Sequence, residues 1–176
     1  MKKYIFTDTD YEGRGEEEYD ITGEDYKELI RTCAKYCDSF AFVLKNVEAL
    51  PKELDSFKLP ITTDIIEQYG YDNAFVPQVQ KLFVQNEPIY HYKVCTEMIE
   101  WFLWINDSLY DWYYVPEKIC PEDLTFYRKD GSVFFSSVTH EGYCELTVRD
   151  DEDVSHIISK DHWLYREPGM MWYKEL

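Results

Sequence analysis

The 176-residue chain has no apolar run long enough to cross a bilayer. Its densest stretch, Trp101-Phe102-Leu103-Trp104-Ile105, lies between Glu100 and Asp107. That falls far short of the ~20 residues a spanning helix needs. The opening residues, Met1-Lys2-Lys3-Tyr4-Ile5-Phe6-Thr7-Asp8, start basic but lack the apolar segment of a secretory signal. No glycine-rich phosphate loop of either common type is present, which removes the two usual nucleotide-binding fingerprints. Basic residues are scarce, with 18 lysines and arginines against 35 acidic residues and a net charge of −17. Direct binding to a nucleic-acid backbone needs clustered Lys and Arg and is not expected. Internal repeats, low-complexity segments and linkers are also missing, so the sequence predicts one domain over 1–176, in the cytoplasm and without membrane contact.

Disulfides are a further expected absence. The five cysteines, Cys33, Cys37, Cys95, Cys120 and Cys144, are odd in number and scattered, unlike a secreted disulfide scaffold. Free thiols in a reducing compartment are expected. What the chain has in quantity is hydrophobic surface, at 45% of residues, with 18% aromatic and 16 tyrosines. That content offsets the ordering entropy that keeps apolar-poor acidic chains unfolded. No metal or cofactor is expected.

The pattern predicts an α+β fold. Residues Lys3–Thr7 read as a first strand with Tyr4 and Phe6 on one face. Thr22 offers an N-cap hydroxyl with Asp25 at the capping-box offset, and Tyr26, Leu29, Ile30, Cys33, Ala34 and Cys37 recur at helical spacing. A helix over about 23–37 follows. Phe40–Leu44 reads as a buried strand, and prolines at 51, 60, 77 and 88 leave 46–90 without a periodic pattern. A second helix is predicted over about 94–109, where Met98, Ile99, Phe102 and Ile105 share a face. The aromatic density from Trp101 to Tyr114 exceeds what one core-facing stripe needs, so some rings must lie outward. Lys129-Asp130-Gly131 and His140-Glu141-Gly142 mark turns between strands near 124–128, 132–139 and 143–148. The expected architecture is an antiparallel sheet with a C-terminal three-stranded meander, about 124–148, packed on the two helices.

Candidate chemistry is thin. His140, Glu141 and Cys144 meet the minimal recipe for a thiol nucleophile, but neighbours on a hairpin point to opposite faces. Cys33 and Cys37 stand four apart on a helix, yet no second pair follows at zinc-finger spacing. Thr7-Asp8-Thr9-Asp10 resembles the short Asp motifs of aspartyl-phosphate enzymes, which need a doubly wound parallel sheet that the meander argues against. No catalytic residue is assigned, and an enzyme is not expected.

The stronger signal is clustered charge. For a chain of this length, roughly 9,000 Å² of surface would spread the net charge at one per ~20 Å, beyond the ~8 Å screening length. Between Asp8 and Asp25, however, nine carboxylates face a lone Arg14. A second run, Asp150-Asp151-Glu152-Asp153, reads as a solvated loop. Tyr and Trp interleave with acids in Asp10-Tyr11-Glu12, Glu18-Tyr19-Asp20 and Asp111-Trp112-Tyr113, a composition suited to a Lys- and Arg-bearing protein. The candidate partner-binding residues are therefore Asp8, Asp10, Tyr11, Glu12, Glu16, Glu17, Glu18, Tyr19, Asp20, Trp112 and Tyr113.

The run Phe126-Tyr127-Arg128-Lys129-Asp130-Gly131-Ser132-Val133-Phe134-Phe135-Ser136-Ser137-Val138-Thr139-His140-Glu141-Gly142 resembles C-terminal hairpins of small acidic proteins from Gram-positive bacteria, some with sporulation-related labels. It is also similar to hairpins of immunity proteins in interbacterial toxin systems. The likeness spans about a sixth of the chain, is structural rather than chemical, and carries no catalytic residue over. It points toward an inhibitor and, with the clustered acidic charge, leads to the expectation of a stoichiometric inhibitor (immunity protein, antitoxin or anti-defence protein) that blocks a cationic, nucleic-acid-handling protein. The alternatives are a regulatory module with another protein partner and a small hydrolase-type enzyme.

Overall fold

Period-2 and period-3.6 segments combine into a mixed α+β structure built on a seven-stranded antiparallel sheet. The computed structural model describes residues 1–7, 19–43, 52–68, 89–110, 122–139, 142–160 and 162–167. These form β1 (Lys2–Thr7), α1 (Gly23–Tyr36), β2 (Ser39–Val43), a short 3-10 helix (Lys52–Phe57) and α2 (Thr63–Gln68). There follow β3 (Ile89–Lys93), α3 (Thr96–Ile105), β4 (Glu122–Tyr127), β5 (Val133–Val138), β6 (Tyr143–Val148), α4 (Ser155–Ile158) and β7 (Trp163–Arg166). The spatial order is β3-β2-β4-β5-β6-β1-β7. No helix among the described residues is long and apolar enough to cross a membrane.

Helix α1 buries Tyr26, Leu29, Ile30 and Cys33 completely, as their spacing dictates. Its start differs from the expected capping box. Thr22 occupies the N-cap position but its hydroxyl makes no capping bond. Gly23, at φ +57, donates its N–H to the Asp107 carbonyl at 2.6 Å, and the Asp25 N–H that a capping hydroxyl would take goes to the Thr22 carbonyl at 3.1 Å. Helix α3 runs from Thr96 to Ile105 rather than 94–109. Val94 stays extended, donating its N–H to Asp38 O at 2.8 Å. At the other end, Asn106 accepts from Asp107 N–H and donates to Ser108 O, both at 2.9 Å, folding the chain out of the helix.

The main core lies between one sheet face and α1, α3 and α4, and it is strongly aromatic. Phe42 and Tyr92 stack at 5.9 Å, and Phe102 meets Phe40 and Phe42 edge-on at 5.2 and 5.9 Å. Consecutive Phe134 and Phe135 both enter this core, against the strict alternation of a strand. A bulge explains it: Phe126 pairs with Phe135 and Tyr127 with Val133, leaving Phe134 as the extra residue. The opposite face carries a smaller cluster of Ala41, Val43, Ile65, Ile89 and Tyr127 beside α2. Strand β3 was not anticipated, because Ile89, Tyr90, His91 and Tyr92 are all buried and show no alternation.

Candidate functional site

The described part of the acidic region converges on one cleft. Strand β1 ends at Thr7, and the chain is described again from Tyr19. Phe6 and Tyr19 both line a cleft of about 500 Å³, together with Ile21, Asp25, Lys160, His162 and Trp163. Asp8, Asp10, Tyr11, Glu12, Glu16, Glu17 and Glu18, with Trp112 and Tyr113, lie outside the described residues. Both anchors of the acidic segment are therefore cleft residues or their immediate neighbours.

The walls are aromatic. Tyr19 stacks on His162 with ring centroids 3.7 Å apart and planes tilted by 25°. Phe6 meets His162 and Trp163 edge-on at 6.1 and 5.6 Å. His162 sits at φ +74, a left-handed conformation that an L side chain adopts at a cost, and these ring contacts hold it there. Sequence reasoning found Tyr19 but not His162 or Trp163, which lie more than 140 positions away and share no local pattern with it.

Asp20, the other expected contact residue in this cleft, has a task within the fold. One carboxylate oxygen accepts from the N–H groups of Ile21, Leu109 and Tyr110 at 2.6, 3.2 and 3.1 Å, and the other accepts from the Ser108 hydroxyl. Asp20 thus pins the chain after α3 to the chain before α1. Charge-assisted bonds contribute about 1.5–3 kcal/mol each, with strong sharing between them. Asp20→Ala is expected to destabilise by about 2–3 kcal/mol in urea titrations. A loss below about 0.5 kcal/mol would remove this role.

Lys160 closes one side of the cleft, bonding Asp25 at 2.5 Å and Glu28 at 2.6 Å. Burial alone pulls its ammonium pKa down, but the two carboxylates outweigh it and hold the pKa above its ordinary value. The cleft therefore already keeps one cation between two carboxylates of α1.

The proposed nucleophile does not fit its surroundings. Cys144 is fully buried, and burial pushes its thiol up to about 12, so it carries almost no thiolate at neutral pH. His140 and Glu141 lie outside the described residues. Cys33 and Cys37 are buried too; desolvation raises the first well above its ordinary value and the second to about 12. Cys33, Cys37, Cys95 and Cys144 are all free. Among the described residues no three His, Cys, Asp or Glu groups assemble as metal ligands. In a Cys120→Ser background, a thiol reagent is expected to label Cys95 first. Cys33, Cys37 and Cys144 should lag by about 10³ or more, because they react only on opening. Prompt labelling of Cys144 in folded protein would restore the nucleophile.

The second acidic run divides its labour. The Glu152 side chain is largely covered and takes a bidentate bond from Arg128, 2.6 Å to Nε and 2.7 Å to an NH2 nitrogen, with side-chain exposures of 7% and 4%. Arg128 also donates to Ser132 Oγ, Val133 O and Thr147 O, so all five of its N–H groups have acceptors. Asp153 accepts from both the N–H and the hydroxyl of Ser155 at the start of α4. Glu152 is therefore not the free solvated charge expected of that loop, whereas Asp150, Asp151 and Asp153 are exposed as expected.

Compared with known proteins, the chain matches no family model, no curated protein and no solved structure.

Proposed function

We propose that the protein is a stoichiometric inhibitor of the immunity, antitoxin or anti-defence kind, which binds a cationic, nucleic-acid-handling protein and blocks it. The observation that carries this reading is the junction of the acidic segment with the aromatic cleft. Carboxylates attract Lys and Arg at long range, while Tyr19, His162 and Trp163 offer apolar and π surface for their stems and heads. The overall charge supports it: at −17, pairing every lysine and arginine with one carboxylate would still leave seventeen carboxylates over. The enzyme alternative finds no support at Cys144, whose thiol stays protonated.

Capture from cell extract tests the reading. Proteins held by the wild type at low salt, and lost when Glu16, Glu17 and Glu18 are all changed to Lys, should be basic and bind one to one. Purified, such a protein should lose its nucleic-acid-directed activity on titration to equivalence. Retention of neutral or acidic proteins equally well by both columns would sink the proposal.

A further inference from the structure

The aromatic surplus near residue 101 has an outward member. Helix α3 buries Met98, Trp101 and Phe102, while Trp104 stands 82% exposed. Glu97, Glu100 and Asp107 are exposed as well. The spacings 97, 100 and 104 are three and four residues, so these side chains form one stripe along the solvent face of α3, and Asp107 follows just past the end of the helix. Glu97, Glu100 and Asp107 take part in no ion pair among the described residues.

Two further features make the stripe electronegative. Helix α3 contains no lysine or arginine. Its C-terminal end, where Trp104 lies, is the negative pole of the helix dipole, and nothing basic in the last turn offsets it. An indole is the best aromatic platform for a cation, and tryptophan is the residue most enriched among binding hot spots. The stripe is also joined to the cleft. Asp107 accepts the Gly23 N–H, and Asp20 holds Leu109 and Tyr110, so the end of α3 is fixed to the chain that lines the cleft.

We propose that this stripe, Glu97–Glu100–Trp104, is a docking surface for a basic segment of the protein partner, which lays an arginine or lysine across the Trp104 indole beside the carboxylates of the same helix face. The proposal rests on the cationic-partner reading and adds a second point of attachment, on a rigid helix. A second copy of this chain is a poor occupant, because a two-fold pairing of the stripe would set its carboxylates against one another.

The test uses a synthetic alanine-rich helical peptide with arginines at i, i+4 and i+7, titrated into the full-length protein. The indole N–H resonance of Trp104 is assigned by its loss in Trp104→Phe. That resonance should shift on titration, and Trp104→Ala should weaken the peptide about tenfold with little salt dependence. Glu97→Lys/Glu100→Lys should weaken it at low salt and much less at high salt. Trp104 is exposed, so thermal melts of Trp104→Ala should match wild type and exclude misfolding as the cause. If both variants bind like wild type while Glu16/Glu17/Glu18→Lys weakens binding, the peptide sits elsewhere: the inference falls and the cationic-partner reading stands. If wild type does not bind the peptide at all, both fall. A dimer in sedimentation that Trp104→Ala dissolves would make the stripe a self-interface and overturn the proposal.

Discussion

Replacing Arg128 by methionine is expected to destabilise the protein by about 3–5 kcal/mol, the usual cost of leaving a buried charge without its partner. Arg128 and Glu152 are almost wholly inside, at 4% and 7% side-chain exposure, so solvent cannot stand in for the missing guanidinium. The same change deprives the Val133 and Thr147 carbonyls of donors. It also removes the guanidinium that lies 5.1 Å over the Phe134 ring. The double variant Arg128→Met/Glu152→Leu removes both charges and should recover most of the loss, because a well-packed apolar pair is often as stable as the ion pair it replaces. Urea midpoints at constant m-value measure both effects. A single-variant loss under about 1 kcal/mol would mean that the pair is solvated and dispensable.

The same pair sets part of the acid response. Burial alone would raise the Glu152 pKa, but bonds from Arg128 and from the Arg149 N–H at 2.7 Å outweigh it and hold it below its ordinary value of 4.5. A depressed folded pKa gives stability that is complete above the unfolded value and lost as pH falls through the folded one. In Arg128→Met the guanidinium bonds are lost while burial remains, so the Glu152 pKa rises relative to wild type, although the Arg149 N–H still holds one oxygen. The stability that Glu152 contributes above its unfolded pKa is therefore smaller in the variant, so the gap between variant and wild type should narrow as the pH is lowered and Glu152 is protonated in both.

The parts of the fold that could be read from the sequence are those whose information is local. Tyr26, Leu29, Ile30 and Cys33 announce α1 because one face is buried and the other wet. Gly131, at φ +82, occupies a turn position that the Lys129-Asp130-Gly131 run marks in advance. Strand β3 escaped because both of its faces are covered, and its tyrosines and histidine score as polar while being buried. The pairing of Arg128 with Glu152, 24 residues apart, and the stacking of Tyr19 on His162 are tertiary facts with no local signature. The run from Trp101 to Ile105 shows that indoles abound but not which one faces out. Helical phase decides that, burying Trp101 to 9% and leaving Trp104 at 82%.

Changing Glu16, Glu17 and Glu18 together to Lys is expected to slow association with the partner by about 10–10³ at low salt. Three reversals move the net charge by six, from −17 to −11, and do so within one short stretch. Whatever the backbone does, the Cα atoms of Glu16 and Glu18 are at most about 7 Å apart, inside the ~8 Å screening length, so these charges act on an approaching cation together. Raising the salt should shrink the difference, because steering is a long-range effect that mobile ions suppress. Truncating an aromatic anchor should behave in the opposite way. Tyr19→Ala, in the cleft, or Trp112→Ala should speed dissociation and leave the association rate nearly unchanged, with little salt dependence. Stopped-flow mixing with the purified partner at two ionic strengths separates the two responses. An association rate that the triple reversal leaves untouched at low salt would reduce the acidic segment to a solvating loop, and the case for a cationic partner would go with it.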